Sequence, residues 1–221
     1  MNRLSVFLHS SIHKPMPLFF RNTIAKAPHG DKKIYLTFDD GPHVQNTPAL
    51  LKLLDKFDVK ATFFLTGKNV ISNPGLAEEI CQCGHIVGNH GWQHLNLRFK
   101  QCAAIADELK RGHDCVAELS GFRYIFRPPY GAWNPRIMKL CQELGYTVVL
   151  WSFSAADYNY HYWQKNNLAA ILNQYVKPGE IVLLHDGAPQ ASNMIFALEM
   201  AIEYWLEAGK TFGLIPEILK K

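Results

Sequence analysis

Short runs rich in Val, Ile, Phe and Tyr alternate with longer helix-patterned stretches along most of the chain, and this alternation restricts the fold more than any other feature. The strand-like runs are IYLTF (34–38), ATFFL (61–65), HIVGN (85–89), YIFRP (124–128), YTVVLW (146–151), EIVLLH (180–185) and a weaker TFGLI (211–215). Their apolar residues are continuous rather than alternating with polar ones, which fits strands buried on both faces. Helical patterns fill the intervals at 47–57, 74–83, 99–119, 135–144, 166–176 and 193–208. Asn73-Pro74 and Asn134-Pro135 read as N-caps followed by proline at the first helical position, and Gly84, Gly145 and Gly209 stand where helices should stop. Strands alternating with helices predict βα units and a parallel sheet. About seven such units predict a barrel or incomplete barrel, with an open doubly wound sheet as the alternative.

In a parallel α/β fold the active site lies at the carboxyl ends of the strands, so residues that carry chemistry should cluster there. They do. Asp39 and Asp40 follow the first strand, His90 and His94 the third, and Arg127 closes the fourth. Asp157 lies shortly after the fifth, while His185 and Asp186 close the sixth.

Each group has a chemical reading. His90 and His94 are at i, i+4, which lets both rings reach one point if the segment turns helically. With a carboxylate they make a two-histidine, one-carboxylate set that suits a catalytic divalent cation holding a water. On its own the pair also fits two ordinary loop histidines. The adjacent Asp39 and Asp40 repel unless a cation sits on one of them, leaving the other as a base; the plainer reading is a turn with a helix cap. Arg127-Pro128-Pro129-Tyr130-Gly131 sets a guanidinium before a loop of definite shape, able to hold a carboxylate by paired hydrogen bonds. His185 is a candidate general acid, with Asp157 raising its pKa.

Composition bounds the remaining possibilities. With 221 residues, 48% of them hydrophobic, the chain supports one sizeable core. A net charge of +4 without a Lys/Arg run argues against nucleic-acid binding. The five cysteines, an odd number, read as mostly buried free thiols of a reducing compartment rather than a disulfide framework. The apolar core LSVFL near the N-terminus is too short for a secretory leader, and no stretch reaches the ~18 apolar residues a membrane helix needs. The expectation is a cytoplasmic protein, or one peripheral to a membrane through a segment such as PLFF (17–20).

From about residue 33 to about residue 210 the chain resembles the NodB-homology polysaccharide deacetylases, carbohydrate esterase family 4. TFDDGP (37–42) is identical to that family's first motif, and the segments 90–94, 127–131 and 183–185 are similar to its later ones, in order. The resemblance implies a distorted, incomplete (β/α) barrel of about seven parallel strands, spanning 31–221 as a single domain with an N-terminal extension (1–30) packed on it. It implies removal of N-acetyl groups from amino-sugar polymers or oligomers, with Asp39 as base, His185 as acid, Arg127 orienting Asp39 and Asp157 tuning His185. Asp40, His90 and His94 would bind the metal, zinc by expectation, with cobalt, nickel or manganese as alternatives. Tyr130, Leu183, Pro128 and Trp151 would contact the carbohydrate. The aromatics Trp92, Trp133 and those of DYNYHYW (157–163) would either stack on sugar or pack loops. Three positions depart from the family motifs: Gly91 stands for Ser or Thr, Ser154 for Asp and Tyr158 for Trp. The alternatives are an amidase or deformylase acting on a small or lipid-linked amino sugar, and a non-catalytic carbohydrate-binding relative.

Overall fold

The computed structural model describes residues 22–158, 165–188 and 191–219. Its first half contains β1 (Thr23–Ile24), β2 (Lys33–Asp39), α1 (Asn46–Lys56), β3 (Thr62–Leu65), α2 (Gly67–Ser72), α3 (Pro74–Gln82) and β4 (Ile86–Asn89). Next come α4 (Cys102–Val116), β5 (Phe122–Phe126), α5 (Pro135–Glu143), β6 (Thr147–Val149) and β7 (Phe153–Ser154). The chain ends with α6 (Lys165–Tyr175), β8 (Ile181–His185), α7 (Ala191–Glu207), β9 (Thr211–Phe212) and α8 (Ile215–Leu219).

The strands form one parallel sheet in the order β1-β6-β5-β4-β3-β2-β8-β7, with β9 beside β2. The short connection between β6 and β7 requires this sheet to curl. Six strand spacings separate β6 from β7 along that order, roughly 29 Å if the sheet were flat. Yet only Leu150, Trp151 and Ser152 lie between Val149 and Phe153, a reach of about 14 Å at most. The sheet must therefore bend round until its two ends face each other. This is the incomplete barrel, not the open sheet. The expected strand at 146–151 accordingly stops early: the chain leaves β6 at Val149 and crosses the mouth of the barrel to a second short strand, β7, which lies beyond the predicted run and pairs with β8.

Two-faced burial explains which residues point where. Along β2, Ile34, Leu36 and Phe38 join the outer core with Leu50, Leu54, Leu198 and Trp205 of the helices. Tyr35 points inward, in a cluster with Phe64, Ile125, Val149 and Ile181. Ile215 and Ile218 of α8 belong to the same inner cluster and close the interior where β2 and β8 begin. The period of two then sends Thr37 and Asp39 inward as well. In-register pairing sets Thr37 beside Leu183 and Asp39 beside His185, on the inner face of β8.

Local readings of the helix ends fared differently. Asn134 accepts a hydrogen bond from Ile137 N–H, as a cap should, whereas Asn73 makes no side-chain cap bond and donates instead to Asn69 O. Gly84, Gly145 and Gly209 take φ of +80°, +77° and +71°, the left-handed conformation of helix stops. Of the five free cysteines only Cys81 and Cys141 are buried, and Cys102 is exposed, so "mostly buried" was too strong an expectation. Of the anticipated N-terminal extension, Thr23–Ile24 form a strand of the sheet itself, pairing with β6, and residues 1–21, PLFF included, lie outside the described residues. Among the described residues no helix is long and apolar enough to cross a membrane.

Candidate active site

The carboxyl ends of the strands surround a cavity of about 360 Å³, lined by Asp39, Asp40, His90, His94 and His185 and by Tyr130, Trp151, Ser154, Tyr158 and Leu183. Asp39 is the last residue of β2 and His185 the last of β8. Asp40 leaves the strand with φ +73°, a conformation Asp tolerates better than most residues. The backbone of Gly187 lies so close against Asp40 that a Cβ there would overlap it. Among the described residues, four of the five non-glycine residues with positive φ are at or beside the cavity: Asp40, His94, Tyr130 and Ala156. Such strain, about 1–3 kcal/mol each, persists where surrounding structure imposes it.

Asp39 is 3% exposed and its Oδ1 accepts from Arg127 Nη1 at 2.7 Å. Arg127 is completely buried and every nitrogen of its fork is committed. Nη1 also donates to Thr37 Oγ1 (2.7 Å), Nε to Val149 O (3.1 Å) and Nη2 to Leu150 O (3.1 Å). Those last two carbonyls stand where the chain crosses from β6 to β7, so one guanidinium ties that crossing to β2. Thr37, which sequence reasoning did not single out, passes the tie on by donating to Val182 O.

Asp40, His90 and His94 present three potential ligand atoms within 4.8 Å of one another. Asp40 Oδ1 lies 3.4 Å from His90 Nε2 and 3.1 Å from His94 Nε2. His90 Nδ1 is 2.7 Å from Arg127 O; a carbonyl only accepts, so Nδ1 carries the hydrogen and Nε2 is left as a ligand atom. Asp40 Oδ1 is buried yet has no hydrogen-bond partner. A buried carboxylate oxygen left without a donor beside two imidazole nitrogens fits a divalent cation. Burial opposes the Asp40 charge, but the neighbouring His90 and His94 rings outweigh it and hold the carboxyl below its usual range. Burial pushes His94 down, favouring the neutral ring that ligation needs. The pair is not brought together by a helix turn, as the i, i+4 spacing predicted. The segment is a loop, with Gly91 at φ +83° and His94 at +58°.

On the strand beside Asp39, His185 Nδ1 lies 2.9 Å from Asp157 Oδ1, and His185 N–H donates to Asp157 Oδ2 at 2.7 Å. Burial works against a charged His185, but the Asp157 carboxylate overcomes it, and the imidazole is pushed up to about 9. Asp186, also wholly buried, bonds Thr47 Oγ1, and burial pushes it up to about 7.

The remaining expected contacts divide. Leu183, Trp151 and Tyr130 line the cavity, the Tyr130 ring 4.5 Å from that of His94. Pro128 is instead buried and leads into the turn at Pro129–Gly131. Trp92 carries the Arg111 guanidinium 4.3 Å from its ring, and Trp133 packs on a core cluster. Ser154 and Tyr158, two of the three departures from the motifs, both line the cavity, Tyr158 edge-on to His185 at 5.2 Å. Residues 159–163 lie outside the described residues.

The chain is similar to several known proteins. A family model described as polysaccharide deacetylase matches residues 26–149. A peptidoglycan-N-acetylglucosamine deacetylase of Bacillus cereus is 33% identical over 198 residues, covering 88% of this chain and 92% of that protein. A chitooligosaccharide deacetylase of Azorhizobium caulinodans is 32% identical over 170 residues, covering 75% of this chain and 79% of that protein. The crystal structure of a peptidoglycan N-acetylglucosamine deacetylase in complex with 4-naphthalen-1-yl-N-oxidanyl-benzamide superposes with a TM-score of 0.84 at 27% identity, over 89% of this chain and 92% of that one.

Proposed function

The chain belongs to the polysaccharide deacetylase family, and on that premise we propose that it is a metal-dependent hydrolase that removes N-acetyl groups from amino-sugar polymers or oligomers and releases acetate. The observation that carries this reading is the convergence on one cavity of a three-ligand cluster, a separate carboxylate and a carboxylate-paired histidine. Asp40, His90 and His94 would hold the cation, which when bound would supply an acidified water and polarise the acyl oxygen. Zinc suits this ligand set; cobalt, nickel and manganese are the other metals to assay.

The chain's own residues divide the proton work. Asp39, oriented by Arg127 through Oδ1, takes the proton of the attacking water. The Tyr130 backbone N–H, on the cavity's edge, would donate to the tetrahedral oxyanion. His185, held protonated by Asp157, gives its proton to the departing amine. Leu183, inward-facing and 3% exposed, forms the surface for the acetyl methyl.

Acetate release from N-acetylglucosamine oligomers, the monomer and acetylated xylan, with and without chelator, tests the function. Release from the oligomers, abolished by chelator and restored by zinc, is expected. No release from any of the three overturns the reading.

The paired His185 also predicts a pH effect. The acid must be protonated, so activity falls as pH rises through about 9, an onset that a bound cation's positive charge moves downward. Asp157→Asn removes the carboxylate that raises the imidazole, and the alkaline limb of kcat/KM should move about two pH units lower than in the wild type. A limb that stays in place rejects Asp157 as the tuning group.

A further inference from the structure

The loop bearing His90 and His94 rests on a buried carboxylate, and we propose that Glu108 of α4 is a positioning residue for the metal site, holding the backbone on both sides of His94. The inference rests on the reading of Asp40, His90 and His94 as the ligand set.

Glu108 is only 2% exposed. It occupies the buried face of α4, among Ile105, Leu109, Gly112 and Val116. A carboxylate in such company is costly unless it is bonded. Its Oε1 accepts from Gln93 N–H at 2.6 Å and, more weakly, from Leu95 N–H at 3.4 Å. These two amides straddle His94, whose φ of +58° lies in the left-handed region. That conformation is unfavourable for a residue with a Cβ, so something must impose it.

The other anchors of the loop act earlier in it. Gly91 N–H donates to Asn89 Oδ1 at 2.7 Å, and Asn89 Nδ2 donates to Leu109 O at 2.9 Å. Gly67 N–H and Lys68 N–H donate to Gly91 O and Trp92 O at 2.9 and 3.0 Å. Those bonds hold residues 89–92; Glu108 takes over at 93 and 95, on either side of the ligand. One turn further along α4, Gly112 lets the helix backbone approach Asn89 and Gly91 closely. A Cβ on Gly91 would lie 3.2 Å from Glu108 Oε1, so the glycine and the carboxylate fit one another. Glu108 thus does for the loop's geometry what the Arg127 carbonyl does for the His90 ring.

Zinc titration of the metal-stripped full chain tests this, with thermal melts of each apo protein alongside. Glu108→Gln keeps the shape but offers a neutral acceptor, and zinc should bind roughly tenfold more weakly; Glu108→Ala should lose about 10–100-fold. A merely structural Glu108 would lower the apo melting temperature and leave zinc affinity unchanged. If Glu108→Ala does not fold, the Gln variant decides. Wild-type zinc affinity in folded Glu108→Gln overturns the proposal. A wild-type chain that binds no zinc overturns the ligand reading beneath it, which is a different result.

Discussion

Asp39→Asn is expected to lower kcat by about 10²- to 10⁴-fold while zinc binding persists. The asparagine is isosteric, and its oxygen would turn toward Arg127, which currently donates to Oδ1 at 2.7 Å. Its NH₂ group would then face the cavity, where Oδ2 now lies 3.7 Å from His90 Nε2. A donor replaces an acceptor at the place where the proton must be received, and an amide cannot take it. Asp40→Asn is the contrasting variant. Asp40 Oδ1 lies within 3.4 Å of both imidazole nitrogens, so its change should weaken the metal site itself. Steady-state kinetics paired with zinc stoichiometry separate the two outcomes. A kcat near wild type in metal-loaded Asp39→Asn would falsify the base assignment.

Arg127→Ala is expected to destabilise the protein by about 3–5 kcal/mol, the usual cost of stripping one partner from a buried ion pair. Against a total stability of about 5–15 kcal/mol that is a large fraction. The melting temperature should fall by roughly 6–20 °C for a domain of this size. Arg127 and Asp39 are 0% and 3% exposed, so the orphaned carboxylate has little water to turn to. Thr37 Oγ1 and the Val149 and Leu150 carbonyls lose their donors at the same time. The double variant Arg127→Met with Asp39→Leu removes both charges and should recover part of the stability while remaining inactive. Thermal denaturation of the wild type and these two variants measures this. A single variant as stable as the wild type would show that the pair is not the clamp across the β6–β7 crossing.

Much of the site was legible because its chemistry is local. TFDDGP placed two carboxylates at a strand end, and the structure keeps Asp39 in the strand and Asp40 just outside it. His90, His94, Arg127, Asp157 and His185 were each found by residue type at the end of an apolar run. The two-histidine spacing, by contrast, pointed to a helix turn, and the backbone is a loop with left-handed residues. The i, i+4 offset brings side chains together in a helix, but a loop braced from outside can do so too. Glu108 went unnoticed, although the signal was there: an acidic residue on the buried stripe of an otherwise amphipathic helix. Trp92 was left between stacking on sugar and packing a loop, and it carries Arg111; Pro128 was expected to contact substrate, and it is buried.

Apart from the short elements β1, α2, β7 and α8, the sequence by itself determined the alternation of strands and helices, the apolar faces of both, and the identity of the groups at the strand ends. These follow from periodicity and residue chemistry, which act within a few residues of each other. Only the tertiary structure decided that the sheet curls, that the strand predicted at 146–151 stops at Val149 so that the chain can cross to β7, and that Asp157 meets His185 across 28 positions while Arg127 meets Asp39 across 88. Those distances depend on how two-faced strands find cover on both sides at once. That is a property of the whole packed chain, to which no single segment holds the information.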